Sequence, residues 1–295
     1  MSATVHAFPD SMGPAMELAT RLGVELCAVA RHLFPDGESL VQVQPRLGTA
    51  LLFRSLDHPN EKLVELLLAA SALRDNGAER VILVAPYLAY MRQDIAFEPG
   101  QAVSQKVIGA LLARHFDALL TVDPHLHRIE SLAEVMPGIE AISISAAPVL
   151  GRFVADGDEA VLAGPDAESR QWVEAIAATS GLDVIVGEKR RLGDRDVELA
   201  FDDIDKVAER SVTLVDDVIS SGRTLEVAAR CLMEGGAASV QALITHCLAS
   251  QEDLDRLAAA GISPISSTDS IAGPTATIPL AGLLAEAIAG QGWLS

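Results

Sequence analysis

Asp216 and Asp217 stand side by side, and two apolar residues later comes Ser220-Ser221-Gly222-Arg223-Thr224. Val212 to Asp216 reads as a buried strand ending in an acid. After Leu225 the pattern EVAARCLMEGGA reads as an amphipathic helix that stops at Gly235-Gly236. A turn of small residues between a strand and a helix presents consecutive backbone N–H groups, and the positive end of the helix, to an anion. Phosphate is the natural guest of such a turn. Two carboxylates cannot bind phosphate, so they need other partners, and ribose hydroxyls and a hard divalent cation such as Mg²⁺ fit them.

A second group is basic. Lys189, Arg190 and Arg191 form the densest cationic run in a chain whose lysines are Lys62, Lys106, Lys189 and Lys206. The run sits between two strand-like segments, as on a hairpin-like arm. Like charges repel, and a solvated loop is one use for them; in an acidic chain, handling a polyphosphate is the other. A third group is Asp123-Pro124-His125 at the end of the strand ALLTVD. An acid and an imidazole two residues apart on extended chain point to the same side and can hold Mg²⁺ directly or through water; the alternative is that each is a structural polar group.

The elements that must position these groups alternate strand and helix from end to end, which predicts mostly parallel sheets with helices on both faces. A helix is expected from about Asn60, as N-cap, to Arg74, and another over 104–115. The pattern restarts after about residue 147, with EAVLAGPD, SRQWVEAIAATSG and LDVIVGEKRR. The expectation is an α/β chain of two similar domains, 1–146 and 147–295. With 295 residues it is long enough for both.

Composition excludes several function classes. The formal net charge of −19 argues against nucleic acid or an anionic membrane as partner. Hydrophobic residues make up 49% of the chain, yet no apolar run has the length of a membrane span, and residues 1–15 lack a basic segment before an apolar core. A cytoplasmic protein is expected. Cys27, Cys231 and Cys247 are odd in number, widely spaced and in apolar context, which predicts reduced thiols. The glycine-rich lysine loop of P-loop proteins and the G-x-G-x-x-G fingerprint are both missing from the sequence.

The acidic loop resembles the phosphoribosyl-diphosphate (PRPP) loop of the type I phosphoribosyltransferase fold. Asp216, Asp217, Val218, Ile219, Ser221, Gly222 and Thr224 fit that pattern; Ser220 stands where an acid is common and Arg223 where a second glycine is common. The resemblance widens to the ribose-phosphate pyrophosphokinase (PRPP synthetase) family. It is carried by FPDGE (34–38), HPNEKLVELLLAASALRDNGAERVILVAPYLAYMRQD (58–94), TVDPH (121–125), GPD (164–166), EKRR (188–191) and the acidic loop, in the family's order.

That resemblance implies an enzyme which transfers the pyrophosphoryl group of ATP to the C1 hydroxyl of ribose 5-phosphate, giving PRPP and AMP, with Mg²⁺. It implies adenine recognition by Phe34, Asp36 and Glu38, donated across a subunit interface. Phe34 can stack on the base, and the two acids can accept its amino protons. Arg92, Gln93 and Asp94 are implied at ATP, and His125 at magnesium-ATP. Asp166 is implied to open the pyrophosphate loop, although Ala167-Glu168-Ser169 follow where glycines are usual. Ser220, Ser221, Gly222 and Thr224 are implied to hold the 5-phosphate, with Asp216 and Asp217 on ribose and metal. Lys189 and Arg191 are implied as the catalytic pair on the migrating group. The metal set is then Asp123, His125, Asp166, Asp216 and Asp217, and a homo-oligomer, a dimer or larger, is expected. The Ser220 departure resembles archaeal-type members. Two alternatives are a PRPP-using phosphoribosyltransferase and a non-catalytic regulatory homologue. The former would not need FPDGE, RQD or EKRR, and an intact Lys189/Arg191 pair speaks against the latter.

Overall fold

In a computed structural model, residues 3–126, 128–154, 160–191 and 197–294 are described, the side chains of 189–191 and 197–198 excepted. The chain divides into two compact units.

The first unit opens with β1 (Ala3–Ala7), α1 (Met12–Leu22) and β2 (Glu25–Ala28). A hairpin follows, β3 (Ala30–Leu33) and β4 (Ser39–Gln42), then β5 (Gly48–Phe53), α2 (Pro59–Asp75), β6 (Ala78–Ala85), α3 (Ser104–His115), β7 (Ala118–Val122) and β8 (Glu140–Ile144). Six strands form a parallel sheet in the order β2-β1-β5-β6-β7-β8. Its central strands are mostly apolar, as in a sheet covered on both faces, and β5 is buried along its whole length. The β3–β4 hairpin is a separate antiparallel two-stranded sheet. α2 begins one residue before the expected N-cap. Pro59 occupies its first turn, where a fixed φ and a missing N–H cost nothing, and His58 is the cap. β8 is an edge strand that the sequence does not announce, because none of its residues is fully buried and they do not strictly alternate.

A short helix, α4 (Ala147–Leu150), leads the second unit into β9 (Val161–Gly164), α5 (Arg170–Ser180), β10 (Asp183–Arg191) and β11 (Val197–Phe201). Then come β12 (Ser211–Ile219), α6 (Arg223–Glu234), β13 (Ser239–Cys247), α7 (Gln251–Ala259), β14 (Ile262–Thr268) and β15 (Ala276–Ile278). Seven strands lie in the order β11-β10-β9-β12-β13-β14-β15, all parallel except the β10–β11 pair. α6 buries Leu225, Ala228, Ala229 and Leu232, a stripe at helical spacing, against this sheet.

Both sheets share one plan. Numbered by first appearance in each unit, five consecutive parallel strands run 2-1-3-4-5 in β2-β1-β5-β6-β7 and again in β10-β9-β12-β13-β14. The α/β fold with two similar, mostly parallel sheets is as expected. The boundary near residue 146 needs one change. Helix α8 (Ala281–Gly290) returns to the first unit, which comprises 1–145, 270–272 and 279–295, and packs on α1. Trp293 is fully buried there and donates to Glu140 Oε2 at 2.8 Å. Cys27, Cys231 and Cys247 are free thiols. Among the described residues no helix is long and apolar enough to cross a membrane.

Candidate active site

In a sheet of this order, ligands bind outside the carboxyl ends of the strands where the order reverses, which is between strands 1 and 3. In the second unit that point lies between β9 and β12. Asp166 follows the end of β9, and Asp216 and Asp217 lie on β12. The sequence ends the strand at Asp216; in the structure it runs on to Ile219, because Val218 and Ile219 continue the pairing with His246 and Cys247 of β13. The acidic pair is therefore held inside a ladder. Asp217 is 4% exposed and Asp216 is half-buried. Asp216 Oδ1 accepts from the Asp217 amide at 3.0 Å. Burial, reinforced by the charges of Asp217 and Asp166, raises the Asp216 carboxyl well above the usual range. Three carboxylates thus share one small region.

Beside them the turn has the form of an anion cradle. Ser220 and Ser221 are exposed and Thr224 is half-buried. Gly222 is the N-cap of α6, with φ 69°, and has no side chain to accept from the first-turn amides. A Cβ there would meet Leu257 Cδ1 at 2.8 Å, so both conformation and space demand glycine. Arg256 of α7 fixes the turn from behind. It donates to the Ser221 carbonyl and pairs with Glu226 at 3.0 Å and Asp253 at 2.9 Å. Sequence reasoning missed Arg256, which reads there as an ordinary charge on an exposed helix face.

The Asp166 turn is closed on itself. Asp166 Oδ1 accepts from the Glu168 amide at 3.1 Å, and Ser169 Oγ donates to the Asp166 carbonyl at 2.6 Å. A Cβ at Gly164 would lie 2.3 Å from Ser169 Oγ, and one at Gly187 2.7 Å from the Pro165 carbonyl oxygen. The glycines of this turn thus flank it, before and across from it, where the expected pattern has them following Asp166. Past Val186, β10 leaves β9 and pairs with β11 alone, Lys189 opposite Leu199 and Arg191 opposite Val197. The basic run is therefore on a two-stranded arm. The side chains of Lys189 and Arg191, on which their roles depend, lie outside the described residues.

The remaining candidates belong to the first unit. Phe34 to Glu38 form the tip of the β3–β4 hairpin. The Phe34 amide donates to the Glu38 carbonyl at 2.8 Å, and Asp36 Oδ1 accepts from the Glu38 amide at 3.2 Å. Phe34 is 39% exposed and meets His32 edge to face. Leu33, Gly37, Glu38 and Ser39 form one wall of a groove of about 530 Å³, with Asn60, Glu61, Val64 and Leu68 of α2 on the other. Arg92 is exposed and Gln93 half-buried, open to a ligand. Asp94 is different. It is buried; its Oδ1 pairs with Arg128 Nη1 at 2.7 Å, a contact that holds the loop, and its Oδ2 has no hydrogen-bond partner. Asp123 is buried at the end of β7 with φ 34°, its amide bonded to the Ile144 carbonyl of β8, and His125 is half-buried. His127 lies outside the described residues. Among the described residues, no three His, Cys, Asp or Glu side chains are already arranged as a metal cage.

The equivalent switch point of the first unit, between β1 and β5, is filled. Arg54, just past β5, is 1% exposed, stacks over the Phe8 ring at 3.8 Å, and pairs with Asp10 at 2.9 Å and Glu65 at 2.7 Å.

Comparison with known proteins follows the same division. A family model described as the N-terminal domain of ribose phosphate pyrophosphokinase matches residues 9–115, and a phosphoribosyl transferase domain model matches residues 137–271. The ribose-phosphate pyrophosphokinase of Methanopyrus kandleri is 38% identical over 289 residues, covering 96% of this chain and 98% of the relative. That of Thermococcus kodakarensis is 34% identical over 261 residues, covering 88% and 91%. In fold, the phosphoribosylpyrophosphate synthetase of Mycobacterium smegmatis superposes with a TM-score of 0.85 at 24% identity, covering 99% of each chain.

Proposed function

This chain belongs to the ribose-phosphate pyrophosphokinase family, and from that membership we propose that it transfers the pyrophosphoryl group of MgATP to the C1 hydroxyl of ribose 5-phosphate, giving PRPP and AMP. The observation that carries the reading is the second unit's switch point, where three carboxylates adjoin a glycine-capped helix start. An anion cradle beside ribose- and cation-binding acids suits a sugar phosphate.

The 5-phosphate rests on Ser220, Ser221, Gly222 and Thr224, while Asp216 and Asp217 orient the ribose hydroxyls. The C1 oxygen forms its bond to the β-phosphorus as the bond from that phosphorus to the α–β bridging oxygen breaks. AMP leaves, and the hydroxyl proton is released. Lys189 and Arg191 meet the charge that shifts among the migrating oxygens, so positioning and electrostatics carry the rate. Phe34, Asp36 and Glu38 recognise adenine for a neighbouring subunit of a homo-oligomer, and Arg92 and Gln93 contact ATP. We infer a cytoplasmic enzyme.

Crowded carboxylate oxygens whose repulsion already raises Asp216 are a donor set that fits a hard divalent cation. In the second unit Asp166, Asp216 and Asp217 would hold Mg²⁺, and in the first unit Asp123 and His125 would. When bound, it supplies positive charge to the phosphate oxygens. The test is AMP release from ATP in the presence and absence of ribose 5-phosphate, with PRPP identified as the second product. AMP formation that requires ribose 5-phosphate is expected; its absence, or consumption of PRPP with a base instead, overturns the proposal.

A further inference from the structure

Glu65 lies in the second turn of α2 and is 1% exposed, yet the chemistry above makes no use of it. Its Oε1 accepts from Ser39 Oγ at 2.9 Å and from Arg31 Nη1 at 3.3 Å, while Oε2 pairs with Arg54 at 2.7 Å. Arg31 is in β3 and Ser39 opens β4. One carboxylate therefore grips both strands of the hairpin whose tip is Phe34–Glu38.

The tip is locked internally by its own hydrogen bonds. What remains to be fixed is where it points. The hairpin is not hydrogen-bonded into the six-stranded sheet, and β3 is exposed along its whole length. An isolated two-stranded ribbon is marginal, and here β4 rests on the core through Val41 while β3 stays exposed. Glu65 adds the polar hold that joins both strands to α2, and is itself fixed. Burial pushes its carboxyl up, but the hydrogen bonds from Arg54 and Ser39 and the charges of Arg54 and Arg31 outweigh burial and keep it below its ordinary value. Arg54 in turn is locked by Asp10 and the Phe8 ring at the end of β1. The chain of contacts runs from the sheet, through Arg54 and Glu65, to the hairpin. Stability alone does not call for this, since well-packed apolar groups in place of a buried ion pair are often neutral or stabilising.

We propose that Glu65 is a positioning residue for nucleotide recognition, setting through Arg31 and Ser39 the direction in which the hairpin presents Phe34, Asp36 and Glu38. This rests on the reading of that tip as the adenine-recognising turn.

The test is steady-state kinetics of AMP formation, with ATP and ribose 5-phosphate varied separately. Glu65→Gln weakens the grip but leaves Arg54 without its charge partner, and that variant risks misfolding. The combined variant Arg31→Met with Ser39→Ala releases the hairpin and keeps the Glu65–Arg54 pair. It should raise the KM for ATP about tenfold, the loss of one charge-assisted contact. The KM for ribose 5-phosphate should stay near wild type, while the melting temperature falls modestly because Glu65 Oε1 loses both donors. Adding Phe34→Ala to it should raise the KM for ATP no further than Phe34→Ala alone. If Phe34→Ala impairs ATP binding and the Arg31/Ser39 variant does not, the positioning role is overturned and the adenine turn stands. Equal rises in both KM values, or effects that add to that of Phe34→Ala, also overturn it. If Phe34→Ala itself leaves ATP unaffected, the adenine turn fails and the positioning role falls with it.

Discussion

Replacing Gly222 with alanine should damage ribose 5-phosphate binding and the second unit together, and the structure sets the scale. The first cost is conformational. Gly222 has φ 69°, and an L-residue in the left-handed region loses about 1 kcal/mol or somewhat more. The second is steric. The new Cβ would sit 2.8 Å from Leu257 Cδ1 and 3.1 Å from Cδ2. Leu257 is fully buried, so its end cannot swing into solvent, and overpacking of this kind costs about 1–3 kcal/mol. Together the strain is roughly 2–4 kcal/mol. If the loop stays in place, that strain appears as lost stability in urea denaturation. If the loop moves to relieve it, the phosphate cradle opens and the KM for ribose 5-phosphate rises, by about 30-fold at the lower figure. Stability and KM measured on the same preparation divide the total between them. The KM for ATP should change little. A variant with wild-type stability and wild-type KM for ribose 5-phosphate would refute both the strain argument and the assignment of the turn.

Lys189→Ala and Arg191→Ala should each lower kcat by on the order of 100- to 1000-fold with only modest changes in KM, because an interaction made only in the transition state lowers kcat and kcat/KM together. Arg190→Ala should be milder; losses confined to KM would make the arm a binding clamp. Asp216→Asn should abolish most activity yet raise the melting temperature of the ligand-free protein at neutral pH. A carboxyl raised by burial and by Asp217 and Asp166 disfavours its charged form in the fold, and that cost grows as pH rises. A lowered melting temperature would contradict this. His6 is buried on β1 with both ring nitrogens lacking a hydrogen-bond partner, and burial, aided by the charge of Arg46, lowers its pKa to about 4. Below pH 6.5 the unfolded chain takes up a proton that the folded one refuses, so stability falls with pH until about pH 4. Between pH 7 and 5 the loss should be about 2 kcal/mol in urea denaturation, and His6→Leu should flatten it.

Much of this site is written in local pattern, and the remainder is not. The turn at 220–224 is legible because small residues and one glycine between a strand and a helix have few other uses. The strand's true end at Ile219 is not, because acids are poor strand formers and only the pairing of Val218 and Ile219 with β13 carries the ladder past them. LAGLLAEAIAG is plainly a helix, but nothing local says that α8 returns to α1 in the first unit. Arg54 and Glu65 read as incidental charges after a buried strand and on a helix. Their partners Asp10, Arg31 and Ser39 are distant in sequence, and a buried ion pair has no local signature. Asp94 shows the converse: position in RQD marks it for ligand, and nothing local announces its buried pair with Arg128.

The two units also show how residues, and not topology, decide where a site forms. Each sheet reverses its strand order between its first and third strands, so the fold offers a crevice twice. In the second unit the crevice gathers Asp166, Asp216 and Asp217, whose mutual repulsion a cation or ribose hydroxyls would relieve on the proposed function. In the first, the same place holds Arg54, already matched by Asp10, Glu65 and the Phe8 ring. A guanidinium so paired and 1% exposed has little charge left to offer a phosphate. The crevice that was closed supplies, through Glu65, the anchor of the hairpin. On the function proposed above, one copy of the fold keeps its ligand site, while the other gives it up and uses the same position to aim Phe34, Asp36 and Glu38.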